Sequence, residues 1–121
     1  MTEKDAWTFA NGWIDAWNSH DLDAILSHYH DTVELTSPFA ARLLSLQHGK
    51  VLGIENLRAY FRRGLDAYPN LHFELQEVLC GLNSLVLYYI NQSHTRTAEF
   101  MEFSADGKVI RVVANYSVPR A

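Results

Sequence analysis

From Lys4 to Asn18 the apolar residues Ala6, Phe9, Ala10, Trp13, Ile14 and Trp17 recur at steps of three and four, leaving one apolar face and one polar face. That spacing predicts an amphipathic helix lying on a core. After Asn18-Ser19-His20, Asp21 is placed to cap a second helix with the stripe Leu22, Ile25, Leu26 and Tyr29. Its capping box is incomplete, because Ala24 stands at the third helical position. From Thr32 to Thr36 polar and apolar residues alternate, which predicts a short strand stopped at Ser37-Pro38. Helical spacing returns from Ile54 to Tyr68, with Leu57, Phe61, Leu65 and Tyr68 inward and Pro69-Asn70 as terminator.

Between these segments, Phe39 to Leu52 reads as a loop punctuated by Gly49 and Gly53. Leu43, Leu44 and Leu46 are unusually apolar for a solvated connection, so the loop is expected to fold back over something, as a lid would. The remainder predicts four strands: Leu71 to Leu79, Leu85 to Asn91, Thr95 to Phe103 and Val109 to Val118. Turn signals at Gly81-Leu-Asn-Ser, Asn91-Gln-Ser and Ala105-Asp-Gly separate them. Helices first and an antiparallel meander second make an α+β pattern.

A chain of 121 residues, 48% of them hydrophobic, can bury one continuous core and not two, so residues 1–121 are expected to form a single domain. Its longest apolar run, Leu85 to Ile90, is far below membrane-spanning length, and the opening residues lack the basic and apolar regions of an export signal. Neither a membrane nor export is therefore expected. The net charge of −4 is scattered, which leaves no footprint for nucleic acid and favours small molecules or proteins as partners. The lone Cys80 cannot form an internal disulfide, fits a reducing cytoplasm, and reads as a packed thiol.

His28-Tyr-His-Asp-Thr-Val-Glu34 gathers two histidines, an aspartate and a glutamate, as a metal site would. With His28 on the second helix, residues two apart point about 200° away from each other. Real sites converge three or four ligands, and His20, His48, His72 and His94 offer no second half. No metal is expected, and both histidines read as solvated.

The helix containing Trp13-Ile-Asp-Ala-Trp-Asn-Ser-His-Asp-Leu-Asp-Ala-Ile25, the tyrosine at 29, the strand ending in Ser37-Pro38 and the hairpin Phe103-Ser-Ala-Asp-Gly-Lys-Val109 together resemble the nuclear transport factor 2-like superfamily, and within it the SnoaL-like proteins. The resemblance covers nearly the whole chain. It implies a cone, in which a strongly curved antiparallel sheet wraps around the helices and leaves an apolar pocket at the open end, and it implies homodimers. It does not fix an activity, since this fold hosts isomerases, cyclases, dehydratases, hydrolases and purely binding members.

Steroid isomerases of the superfamily carry a first-helix tyrosine and a late-strand acid as an oxyanion hole, and an aspartate base just before the proline of the first strand. Gapless matching puts Trp13 at the tyrosine and Ser37 at the base, while matching through the Gly107 hairpin puts Glu99 at the late-strand acid. A serine hydroxyl cannot take a proton near neutral pH without its own base, so a steroid-isomerase mechanism is rejected. Trp13 becomes a pocket wall.

Strand alternation sets Thr97, Glu99, Met101 and Phe103 on one face. If that face is inward, Glu99 is a costly buried carboxyl and the best candidate for a general acid/base; if a bulge reverses it, Glu99 is solvated. The same match points Val112, Ala114 and Tyr116 inward, with Tyr116 or Ser37 offering a hydrogen bond to a ligand. Leu87 and Tyr89 are expected on the inner face, and Trp17, Tyr29, Phe39 and Tyr60 as pocket or core aromatics. No phosphate loop or nucleotide fingerprint is present. Two function classes remain: a cofactor-free acid/base enzyme acting on a small hydrophobic carbonyl compound, and a ligand-binding or dimerisation domain without turnover.

Overall fold

The structure, a computed structural model, describes residues 1–118. Helix α1 (Glu3–Asn18) opens with a full capping box, Thr2 accepting from the Asp5 N–H while the Asp5 carboxylate accepts from the Thr2 N–H. Its apolar stripe is buried as the spacing requires, with Trp13 at its centre, 1% exposed. Sealing an indole, ~200 Å² at ~25 cal/mol per Å², contributes about 5 kcal/mol before entropy, several times the net worth of one hydrogen bond. Trp13 is thus the main anchor of the helix.

Helix α2 (Leu22–Leu26) is capped by Asp21, whose side chain accepts from the Ala24 N–H at 3.1 Å. It is shorter than its stripe implies: Tyr29 belongs to strand β1 (Tyr29–Thr36), which starts three residues earlier than the alternation from Thr32 indicates. Three features make Tyr29 look helical in sequence: it falls on the helical repeat, it is buried either way, and Asp31 and Thr32 break the alternation at solvent. The two neighbouring histidine rings go separate ways. Half-buried His28 meets Phe9 edge-on, and His30 pairs its Nδ1 with the Thr32 hydroxyl.

The segment read as a loop contains two elements, helix α3 (Pro38–Leu43) and strand β2 (Lys50–Leu52). Ser37 caps α3 by accepting from the Phe39 N–H at 3.1 Å, and Pro38 occupies the first helical turn where its missing N–H costs nothing. Helix α4 (Ile54–Ala67) buries Leu57 and Phe61, while Tyr68, expected inward, caps its end and stays exposed. Strands β3 (Glu74–Cys80), β4 (Ser84–Ile90), β5 (Arg96–Phe103) and β6 (Val109–Tyr116) follow. Cys80, expected packed, is exposed.

One six-stranded sheet results, ordered β2-β1-β6-β5-β4-β3. All neighbours are antiparallel except β1 and β6, which run parallel, so the first strand closes onto the last through the long chain between them. The sheet is curved and unclosed around α1, with Leu85, Leu87, Met101, Val109 and Val112 of its inner face fully buried. Among the described residues, no helix is long and apolar enough to cross a membrane.

The turn between α3 and β2 depends on Gly49. It is buried at φ +63°, and a Cβ there would meet the Ser37 carbonyl oxygen at 2.7 Å, across the backbone pair in which the Ser37 N–H donates to the Gly49 carbonyl. Gly49→Ala is therefore expected to destabilise the fold by more than about 1 kcal/mol in urea unfolding. An unchanged midpoint would show that the turn relaxes freely.

Candidate functional site

At the open end of the sheet a cleft of about 380 Å³ runs between α3, α4 and the inner face of β4, β5 and β6. Each wall follows from a local choice of residues. The capping of α3 by Ser37 turns Phe39, Arg42 and Leu43 toward the cleft, and α4 presents Tyr60, Gly64 and Tyr68. The opposite wall is set by a long-range clamp: the Asn18 side chain, at the end of α1, accepts from the Phe73 N–H at 2.8 Å and donates to the Phe73 carbonyl at 2.9 Å. This bidentate grip fixes Phe73 against Trp13, Trp17 and Tyr89 at ring separations of 5.7, 5.6 and 4.4 Å. A larger hollow of about 610 Å³ lies between α2 and α4. It is a polar surface groove whose charges partly neutralise one another, as Asp23 and Arg58 do at 2.9 Å, so volume alone does not mark the site.

Glu99 lies on the cleft floor. Alternation along β5 holds without reversal across Thr97, Glu99, Met101 and Phe103, which settles its direction: it faces inward and is 7% exposed. The Tyr89 hydroxyl, from the neighbouring strand, donates to one carboxylate oxygen. Burial raises the Glu99 pKa to about 7, and the Tyr89 bond only partly offsets that rise. Desolvation wins because one neutral donor replaces a whole hydration shell. The phenols respond in turn: burial, together with the Glu99 charge, holds Tyr29, Tyr89 and Tyr116 far above the ordinary tyrosine range, and burial pushes Tyr60 to about 12. At neutral pH all four are neutral donors. Of these five groups, Glu99 is the one that titrates near neutral pH.

Trp17, Phe39, Tyr60, Tyr89, Glu99 and Tyr116 all meet on the cleft wall. The other residues expected there do not. Trp13 and Tyr29 lie beneath the wall as core, joined by a 2.9 Å bond from the Trp13 indole to the Tyr29 hydroxyl. Leu87, Met101 and Val112 are fully buried on the inner sheet face, too deep to touch the cleft. Ser37 sits behind the wall, 3% exposed, its oxygen committed to the Phe39 N–H; it lies close enough to Tyr60 and Tyr116 to offset part of their upward shift.

Arg42, Phe73 and the rim residues Asn91, Gln92, Ser93 and Thr95 are cleft residues that sequence reading missed. Only α3 carried a readable signal, since Ser-Pro is also a helix start. Trp17 keeps an indole N–H and Thr97 a hydroxyl buried without a partner among the described residues. Such atoms are uncommon in cores, and both lie near the Glu99 end of the sheet.

Comparison with known proteins agrees with this fold. The chain is similar to a SnoaL-like protein of unknown function from Burkholderia thailandensis, with 38% identity over 98% of this chain and 99% of that one, at a TM-score of 0.92. An NTF2-like protein of unknown function from Burkholderia xenovorans superposes over 98% and 88% of the two chains with 21% identity and a TM-score of 0.70. TerC, co-crystallised with polyporic acid, superposes over 93% and 92% with 15% identity and a TM-score of 0.76. At these lower identities the likeness is one of fold. No curated protein matches the chain. The model of the SnoaL-like domain matches residues 10–114, and with most of its length so accounted for, the chain belongs to the SnoaL-like family.

Proposed function

We propose that the cleft binds a small hydrophobic molecule bearing a carbonyl or enol and that Glu99 moves a proton on it. The observation that carries this reading is a carboxyl on the floor of an aromatic cleft, bonded to Tyr89 and poised at about 7. A group whose pKa lies near the working pH serves best as both acid and base, because neither form is scarce. In its ionised form Glu99 takes a proton from the carbon next to a carbonyl, while the neutral phenols of Tyr116 and Tyr60 donate to the oxygen on which charge develops. Returned at another carbon, the same proton completes an isomerisation. No cofactor is required. The co-crystallisation of TerC, a protein of the same fold, with polyporic acid supports a small organic ligand.

A second reading, ligand binding without turnover, is favoured by one observation: Tyr60, Tyr89 and Tyr116 on the wall are all held above the ordinary tyrosine range by burial, so they offer no second group poised near neutrality to a reaction that needs a separate acid and base. We also propose a homodimer formed through the outer sheet face, where Val86, Tyr88, Phe100 and Val113 are only half-buried. An exposed lone Cys80 suits a reducing, cytoplasmic setting, which we take as the location.

In deuterium oxide, the wild-type protein is expected to wash deuterium into the α-carbon of 2-tetralone, an apolar bicyclic ketone, with a rate that rises through about pH 7 as Glu99 ionises. Glu99→Gln is expected to lower that rate by roughly 10²-fold or more while still binding the ketone. Equal rates in the two proteins would remove Glu99 from the chemistry. Binding without exchange in the wild type would favour the second reading.

The same variant reports on stability. Because the folded pKa of about 7 exceeds the ordinary 4.5, the folded state holds a proton between those values that the unfolded state has lost. Stability therefore falls as pH rises through that window and levels off above it, by roughly 3 kcal/mol at ~1.36 kcal/mol per pH unit. Denaturant unfolding at pH 4 and pH 8 should show this loss in the wild type and not in Glu99→Gln. Parallel curves would mean that Glu99 is solvated. For the dimer, native mass spectrometry should give twice 13.8 kDa, and a monomer alone would refute it.

A further inference from the structure

Of the charged side chains that line the cleft among the described residues, one is Glu99 on the floor and the other is Arg42 at the mouth. With Glu99 protonated, the charge of the cleft is that of the arginine. Arg58 and Arg111 engage carboxylates at 2.9 and 3.2 Å, whereas Arg42 has no carboxylate within 4.0 Å among the described residues. Its guanidinium is held over the Phe39 ring, 4.5 Å from the centroid, and Phe39 in turn packs edge-on against Tyr116 at 4.6 Å. This stack favours a guanidinium position beside the cleft mouth.

The opposite rim adds donors. Asn91 Oδ1 accepts from the Ser93 and Thr95 N–H groups at 3.0 Å, and Gln92 Oε1 accepts from the His72 N–H at 3.4 Å. Both amides commit their oxygens to backbone, leaving NH₂ groups that meet no protein acceptor among the described residues. Cation and amides together present the mouth with N–H donors.

Resting on the reading of the cleft as a ligand site, we infer that its ligand is an amphipathic anion, with an apolar body against Trp17, Phe73 and Tyr89 and a carboxylate or equally acidic oxygen group held by Arg42 at the mouth. A planar guanidinium suits two oxygens of one anion, and a rim of NH₂ donors can complete the shell. The Arg42 charge is also felt inside, where it lowers the pKa of Tyr60 and Tyr116 against the larger effect of burial. An anion at the mouth and a proton-transfer group on the floor place the reacting carbon at the far end of the molecule from its charge.

The test is calorimetric titration of 2-naphthoate and its neutral isostere 2-naphthamide at pH 6, above the ordinary carboxyl range of ~4 and below the Glu99 midpoint. Wild-type protein is expected to prefer the carboxylate by roughly ten- to a hundredfold. Arg42→Gln should lose that preference while keeping its melting temperature and its affinity for the amide, and Arg42→Lys should keep part of the preference. Equal binding of the two probes by the wild type, or a preference that survives in Arg42→Gln, overturns the inference and leaves the cleft reading standing. Binding of neither probe overturns both.

Discussion

A carboxyl sealed among aromatic rings is the constraint around which this structure is arranged. Glu99 is carried inward by the plain alternation of β5, and once inside it has the Tyr89 hydroxyl as its only protein hydrogen-bond partner among the described residues. An isolated carboxylate there is costly, so the group holds its proton to about pH 7. Burial by itself keeps the neighbouring phenols neutral, and the Glu99 shift gives the cleft a proton donor that is half converted to a base near neutrality. Arg42 is left as the cleft's uncompensated charge. A lysine or arginine beside Glu99 would instead have stabilised the ionised form and brought its pKa back down.

The floor holds its shape because the aromatic residues around it are tied to different parts of the chain. Trp13 anchors α1, donates to Tyr29 at the start of β1, and packs on Phe73 and Tyr89. Asn18 grips the backbone of Phe73 from the end of the same helix. Ser37 ends β1 and starts α3 in a single residue, which is how a strand on the sheet comes to position Phe39 and Arg42 over the cleft. Each contact is modest by itself. Together they hold the open end of the sheet in shape.

Much of this is written locally in the sequence. The apolar steps of α1 and α4, the Asp21 cap and the alternation of β4 and β5 determine their elements without help from the fold; the shared face of Thr97, Glu99, Met101 and Phe103 follows from β5 alone, but that it turns inward follows only from the packing of the sheet. Other features depend on partners far along the chain. Tyr29 lies on a helical repeat and in a strand, and what decides between them is pairing with Val109. The parallel pairing of β1 with β6 leaves no local mark at all. Helix α3 is too short to show a period, so Arg42 was unreadable as a cleft residue, and Ser37-Pro38 served as a strand stop when it was also a helix start. Phe73 was invisible for a different reason: its clamp comes from Asn18, 55 residues away. Leu87, Met101 and Val112 face inward but sit below the cleft they are expected to line, a difference of depth that alternation cannot express.

The protonation of Glu99 can be observed directly. With ¹³C-labelled glutamate and the Glu99→Gln variant to assign the resonance, the carboxyl carbon of Glu99 should titrate with a midpoint near 7. A midpoint at the ordinary value near 4.5 would mean that water reaches the carboxylate on the cleft floor, contradicting the buried, proton-holding site on which this account rests.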